Sequence, residues 1–381
     1  MKLQSSGAEH FVVLDILRTA AITLVLLRHC IRPFLEDSMP GAIIDEKIWM
    51  PLANIMKNGW VGVDLFFILS GFLITRSLYL ASQRDGSVLR FYKKRSLRIL
   101  PAYFFVLILI CAGIFPLYPL PHEGVWKEFL IHVFFLQDYL GSDLNIVYWS
   151  LGVEIKFYLL APFLILPLWR VFKRSRSLVY AALLSLVLLG PVSRFISLEL
   201  AGGIPDNYGQ SFILFRSPLH SCLDALFTGV LCYYIYHDLP DKVSKRASRF
   251  IALIVAFLCC AFLASHDIWR ATDNLEIVFQ PLFLNICLGA VMIFGLTGWA
   301  GMGRLKFVRG TANLSYSVYL IHWPMIPLCL VLPVTMGLGN ASEEFVPYVT
   351  FCVLLVTLSF AGAWIIYKYI ETPFLKQKNL E

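Results

Sequence analysis

The sequence predicts an all-α, polytopic membrane protein with ten transmembrane helices and both termini in the cytoplasm. Three observations predict it. Hydrophobic residues make up 58% of the 381-residue chain and charged residues only 15%, against about 25% charged in soluble proteins. Mean hydropathy is +0.71. Apolar runs of about 20 residues, the length that crosses a bilayer as a helix, recur along the chain. The segments between them alternate between Lys/Arg-rich and acidic. This composition excludes a soluble enzyme, a disordered chain and a disulfide scaffold. One water-surrounded core would not readily bury 30 Phe, 17 Tyr and 9 Trp.

The first run, 12–31, includes LDILRTAAITLVLLRHC and holds Asp15, Arg18, Arg28 and His29. At about 100° per residue, the steps from Arg18 to His29 leave a net offset of about 20°. Both side chains therefore project from one helix face, roughly 16 Å apart. Asp15, three residues before Arg18, is spaced to pair with it. Arg28 lies off this face near the helix end and is expected to snorkel. Charges inside a span are costly and mark functional candidates; the structural alternative is an Asp–Arg pair and a satisfied buried His.

The second run, 59–80, opens GWVGVDLFFILSGFLIT, with Asp64 about one turn in. Gly59, Gly62 and Gly71 suit close helix approach. The third, 99–118, follows RFYKKRSLR. There Arg95 and Arg98, at i and i+3, share a face, a pairing suited to phosphate through bidentate hydrogen bonds or to plain anchoring. The stretch 125–140 is short and carries Lys127, Glu128, His132 and Asp138, so it is expected to lie at the interface or re-enter. The fourth run, 149–169, begins WSLGVEIKFYLLAPF, with Ser150, Glu154 and Lys156. Runs 178–198, 217–236, 250–265 and 277–298 follow. The ninth, 311–333, contains LSYSVYLIHWPM, where Tyr319 and His322 lie on one face and are spaced to hydrogen-bond each other. The tenth is 346–367.

The connecting segments order these runs. Segments 81–98, 170–176, 237–249, 299–310 and 368–381 hold 20 Lys/Arg, whereas 32–58, 119–147, 199–213, 266–276 and 334–345 hold 5. The positive-inside rule places the first set in the cytoplasm. The net charge of +7 is thus a topology signal, and no nucleic-acid partner is expected. The nine cysteines have no spacing suited to zinc and read as packing residues, with no metal expected. The chain shows no cleavable signal peptide, repeat or linker, and reads as one integral-membrane domain, 1–381, with no appended soluble domain.

Taken together and in order, RTAAITLVLLRH, GWVGVDLFFILSGFLIT, RFYKKRSLRILPAYF, WSLGVEIKFYLLAPF, LSYSVYLIHWP and YKYIETPF resemble the acyltransferase-3 family of membrane-bound acyltransferases, over about 10–375. The resemblance implies a ten-helix membrane domain. It implies transfer of an acyl group, commonly acetyl from acetyl-CoA, to a hydroxyl of a carbohydrate or related cell-envelope molecule. It also implies a bacterial inner membrane. The family's Arg-x10-His pair falls on Arg18 and His29, its Arg-x-x-Arg pair on Arg95 and Arg98, and its Trp-Ser-Leu-x-Val-Glu segment on Trp149–Glu154. Where the family has a second acid and a Gln, this chain has Ile155 and Lys156.

The expected mechanism follows. Acyl-CoA is a donor substrate, not a resident cofactor, and is held from the cytoplasm by Arg18, Arg95 and Arg98. The acceptor, a carbohydrate or lipid-linked glycan, meets His29, Asp64 and Glu154 near the outer ends of their helices. His29 is the expected general base, since its ordinary pKa lies near 6.5, with Glu154 or Asp64 orienting its ring. Asp15, Ser150, Tyr319 and His322 are secondary candidates. Direct transfer and an acyl-histidine intermediate both fit. The rival reading is a transporter or flippase of a lipid-linked sugar, which would predict repeats or paired broken helices.

Overall fold

A computed structural model describes residues 11–34, 46–83, 88–121, 124–239, 243–266, 273–303, 305–342 and 344–379. Residues 1–10 and segments 35–45 and 84–87, which carry part of the charge alternation, lie outside them. The described residues form helices and no strand. In chain order these are α1 Val12–Ile31, α2 Glu46–Lys57, α3 Val61–Ser82, α4 Val88–Cys111, α5 Val125–Val133, α6 Gln137–Leu140, α7 Trp149–Phe172 and α8 Arg176–Ala201. They continue with α9 Tyr208–Phe215, α10 Leu223–Asp238, α11 Lys245–Ser265, α12 Asn274–Gly298, α13 Lys306–Thr335, α14 Phe345–Ile366 and α15 Thr372–Asn379. A π-helical turn, Tyr367–Glu371, joins α14 to α15.

Every predicted run has a helix at its position, but seven of the described helical runs, not ten, are long and apolar enough to cross a membrane: Met50–Ser82, Ile146–Phe172, Arg176–Ala201, Lys245–Ser265, Asn274–Gly298, Lys306–Thr335 and Phe345–Lys376. Three predicted spans fall outside this set for visible reasons. Helix α1 carries Asp15, Arg18 and Arg28 within its 20 residues. Helix α4 begins at Val88, with its basic half helical, and ends at Cys111 rather than 118, where Gly113 and Leu117 take positive φ. Helix α10 starts at Leu223 rather than 217 and has 16 residues, because Pro218 first opens a 3₁₀ turn over Leu219–Cys222.

Packing separates an inner set of helices from an outer one. The apolar stretch that includes α3 is 72% buried, whereas that of α11 is 22% buried and faces outward. Helix α3 packs on α10 and α1, and α1 on α13. Small residues set these distances. A side chain at Gly71 would strike the Leu226 carbonyl of α10, and one at Gly229 the Ile68 carbonyl of α3. Gly59 and Gly62 meet α1 in the same way, at the Leu24 and Ala21 carbonyls. Polar caps end the peripheral helices: Ser175 accepts from Leu178 N at the start of α8, and Gly202, at φ +72°, closes it.

The 125–140 stretch forms two short helices, α5 and α6, hinged at Phe135 with φ +55°. Buried polar contacts fix it to the bundle. His132 is fully buried, with the Tyr103 hydroxyl 3.1 Å from Nδ1 and Ser142 Oγ 2.8 Å from Nε2. Burial lowers its pKa to about 4. Lys156 of α7 donates to the buried Asp138 carboxylate and to the Phe135 carbonyl. Ile155 packs against the main apolar core. The two departures from the family pattern therefore hold structure, one as a core contact and one as a cross-link to α6.

Candidate active site

Two cavities lie among the helices. Helices α1, α3, α4, α7 and α13 enclose a narrow one of about 100 Å³, and Arg18, Arg95, Arg98, Glu154, Ser150 and Tyr319 all line it. Asp15 lies 4.0 Å from Arg18, the pairing expected from i, i+3 spacing. Arg95 donates to the Leu73 carbonyl at 3.4 Å and lies over the rings of Phe91 and Tyr158. Glu154 accepts from the hydroxyls of Ser70 and Tyr158. Three guanidiniums and one carboxylate line this one cavity, a net positive lining that can hold an anion through charge-assisted hydrogen bonds, which low-dielectric surroundings strengthen.

The second cavity is wider, about 730 Å³, and His29 lines it together with Arg28, Arg32, Trp60, Trp149, Tyr208 and Arg216. The His29 ring stands 5.0 Å from that of His322 and 5.1 Å from Trp323. Its Nδ1 is buried without a hydrogen-bond partner among the described residues. His322 is itself fully buried, and its Nδ1 lies 2.9 Å from the Tyr319 carbonyl and 3.1 Å from that of Val318. An Nδ1–H donated to these carbonyls leaves Nε2 as the lone-pair nitrogen.

Several expected neighbours are rearranged. Glu154 belongs to the arginine cavity and does not line the His29 cavity. Asp64 lines neither; it is buried and pairs with Arg216 at 2.8 Å. The group against His29 is therefore His322, and neither carboxylate takes the orienting place. Arg28 does not snorkel: only 3% of it is exposed, and it faces the cavity. Tyr319 and His322 do not bond side chain to side chain. The Tyr319 hydroxyl instead donates to the Val147 carbonyl at 2.6 Å and lies 2.5 Å from Ser150 Oγ.

Sequence reasoning missed Arg216. Its guanidinium lies 4.6 Å from the Trp60 ring and 5.5 Å from Trp149. It fell between the loop read as 199–213 and the run read from 217. It also missed Tyr158, although the i, i+4 spacing to Glu154 was a usable signal.

The two cavities meet. Val63 and Tyr319 line both of them, so these two side chains stand between the cavity of Arg18, Arg95 and Arg98 and that of His29.

Residues 11–368 match the family model described as an acyltransferase domain. The chain is 26% identical over 371 residues to O-acetyltransferase OatA of Staphylococcus aureus, covering 91% of this chain and 57% of that protein. It is 26% identical over 351 residues to peptidoglycan O-acetyltransferase OatA of Listeria monocytogenes, covering 84% and 52%. To the putative peptidoglycan O-acetyltransferase YrhL of Bacillus subtilis it is 26% identical over 347 residues, covering 85% and 52%. The chain thus spans about half the length of these relatives. No solved structure matches it.

Proposed function

The chain belongs to the acyltransferase-3 family, and from that premise we propose that it transfers an acetyl group from acetyl-CoA to a hydroxyl of a cell-envelope carbohydrate. The relatives named for O-acetylation support the acetyl group and the carbohydrate acceptor. In this reading the protein sits in a bacterial inner membrane, crosses it ten times and keeps both termini in the cytoplasm, as the bias of 20 basic residues against 5 suggests. Helices α1, α4 and α10 then supply the remaining three crossings. Their charges and shorter apolar lengths are sheltered by neighbouring helices, because α1 and α10 both pack on the buried α3.

The observation that carries the proposal is the meeting of an arginine cavity with a histidine cavity at Val63 and Tyr319. The donor's phosphates sit at Arg95 and Arg98, and Arg18 lies deeper. The acceptor enters the His29 cavity, where Trp60, Trp149 and Tyr208 offer aromatic faces to a sugar. His29 removes the proton from the acceptor hydroxyl. The oxygen attacks the thioester carbonyl, and the tetrahedral intermediate collapses with loss of the CoA thiolate. The imidazolium returns its proton to that sulfur, so the products are an ester and CoA. A base is needed because a sugar hydroxyl is a poor nucleophile at neutral pH, whereas the thioester is already activated.

The test joins two measurements. Purified protein should bind acetyl-CoA, and cells lacking it should lose an acetyl mass from an envelope glycan by mass spectrometry. A protein that binds no acyl-CoA, in cells whose glycans are unchanged, would leave the transporter reading in place.

A further inference from the structure

We propose that His322 is a positioning residue for His29: it fills the place expected of Glu154 or Asp64 and holds the His29 imidazole in the tautomer whose Nε2 is free to take a proton. The inference rests on the acetyl-transfer reading above, in which His29 is the base.

Two buried ring nitrogens carry it. His322 Nδ1 lies 2.9 Å from the Tyr319 carbonyl and 3.1 Å from that of Val318. Carbonyls only accept, so Nδ1 bears the hydrogen and Nε2 of the neutral ring bears the lone pair. That Nε2 is buried with no hydrogen-bond partner among the described residues, and so is His29 Nδ1. The ring centres are 5.0 Å apart and the planes are inclined by 44°. Centres at that separation allow the two nitrogens to approach to about 2.8 Å, hydrogen-bond distance, with no backbone movement. A lone pair and a nitrogen able to donate thus sit side by side, each costly to leave unpaired. The other groups beside His29 do not compete. Trp323, 5.1 Å away ring to ring, and Arg28 and Arg32 only donate. With Nδ1–H of His29 donated to His322, the His29 lone pair stands on Nε2.

His322 is 0% exposed and lines neither cavity, so it acts through His29 and touches no substrate. As Nε2 of His29 takes the hydroxyl proton, the bond from Nδ1–H to His322 strengthens, because its donor has become cationic. The proton stays on His29 until the CoA sulfur receives it, and His322 remains neutral. A neutral partner releases that proton more readily than a carboxylate, which would favour the charged ring.

Two measurements test this. Nitrogen NMR of protein with isotopically labelled histidine, in lipid nanodiscs at pH 7.5, reads the tautomers with no substrate present. The wild type should show Nδ1–H on both rings. His322→Asn keeps an amide donor near the backbone carbonyls and removes the acceptor, so His29 should become a mixture of tautomers. Transfer is then measured from labelled acetyl-CoA to envelope glycan of cells lacking the protein. His322→Asn should lower kcat about ten- to a hundredfold, part of what a general base supplies, with acetyl-CoA affinity and acceptor KM within about twofold. His322→Gln, which carries an amide oxygen near the Nε2 position, should recover most of the loss. The wild-type spectrum decides the matter if His322→Asn does not fold: a His29 with its hydrogen on Nε2 overturns the inference. So does an unchanged kcat in folded His322→Asn, or a Gln variant no better than Asn; each leaves the acetyl-transfer reading standing. A wild type that transfers nothing overturns that reading and, with it, the part given to His322.

Discussion

His29 sits where an imidazole is expensive to keep: inside an apolar helix, against another histidine and a tryptophan. With Nδ1 buried and without a partner among the described residues, Nε2 is the nitrogen that the proposed reaction assigns to the acceptor hydroxyl. His29→Gln is expected to lower acetyl transfer about 10²–10⁴-fold while acetyl-CoA affinity stays within about twofold. Transfer from labelled acetyl-CoA, read beside binding, checks this, and a near-normal rate would send the search for the base to Glu154 and then His322. Asp64 calls for a different measurement. Its pairing with Arg216 is buried, and removing one partner of such a pair typically costs about 3–5 kcal/mol because the other charge is stranded. Asp64→Asn should therefore lower the unfolding temperature, whereas His29→Gln should not. At this scale the sequence exposed the groups better than their partners. Periodicity placed Arg18 and Asp15 together, because neighbours one turn apart are fixed by the helix itself. It could not place Glu154 in one cavity with Arg18, because that depends on how α1 and α7 each pack against α3.

Helix α4 brings its own cations to the cavity, since its basic half is helical from Val88. Arg95→Ala with Arg98→Ala should weaken acetyl-CoA binding about ten- to a hundredfold, on the scale of losing a charged hydrogen bond worth about 1.5–3 kcal/mol. Lys at both positions should restore it only in part, because an ammonium lacks the guanidinium fork; an unchanged affinity would make them anchors. The α5–α6 segment carries a prediction about acid. Burial lowers the pKa of His132 from 6.5 to about 4, so below pH 6.5 the unfolded chain takes up this proton before the folded one. Its contribution is full above pH 6.5 and is lost as pH falls from 6.5 to 4, by up to ~3 kcal/mol. Melting curves at pH 7.5 and 4.5 should differ less for His132→Gln than for the wild type. The positions of the ten apolar runs were legible, because an apolar run of bilayer length leaves little choice, whereas α2 and α9 lie in segments read as connections. The ends of α4 and α10 were not legible, since hydropathy does not register an extended Pro218 or a positive φ at Leu117.

For the whole molecule, the charge alternation makes a direct prediction: a cysteine placed at Arg90 should resist an impermeant thiol reagent in intact cells, and one in the 119–147 segment should react. External labelling at position 90 would overturn the topology. The alternation could be read from sequence because translocation sorts charges loop by loop, whereas the two cavities could not, because each is built by residues from helices far apart in the chain. Their near contact has an electrical consequence. If aqueous space reaches Val63 and Tyr319 from both sides, the membrane potential falls mainly across that single layer. In the proposed reaction a proton leaves a hydroxyl on the outer side and ends on a CoA sulfur on the cytoplasmic side. The acetyl group passes outward in exchange for that proton, so the reacting groups on each side stay neutral and a turnover moves no net charge through the field. In proteoliposomes with donor inside and acceptor outside, the extent of transfer should therefore be the same whether an inside-negative potential is held or an ionophore collapses it, at fixed concentrations of both substrates.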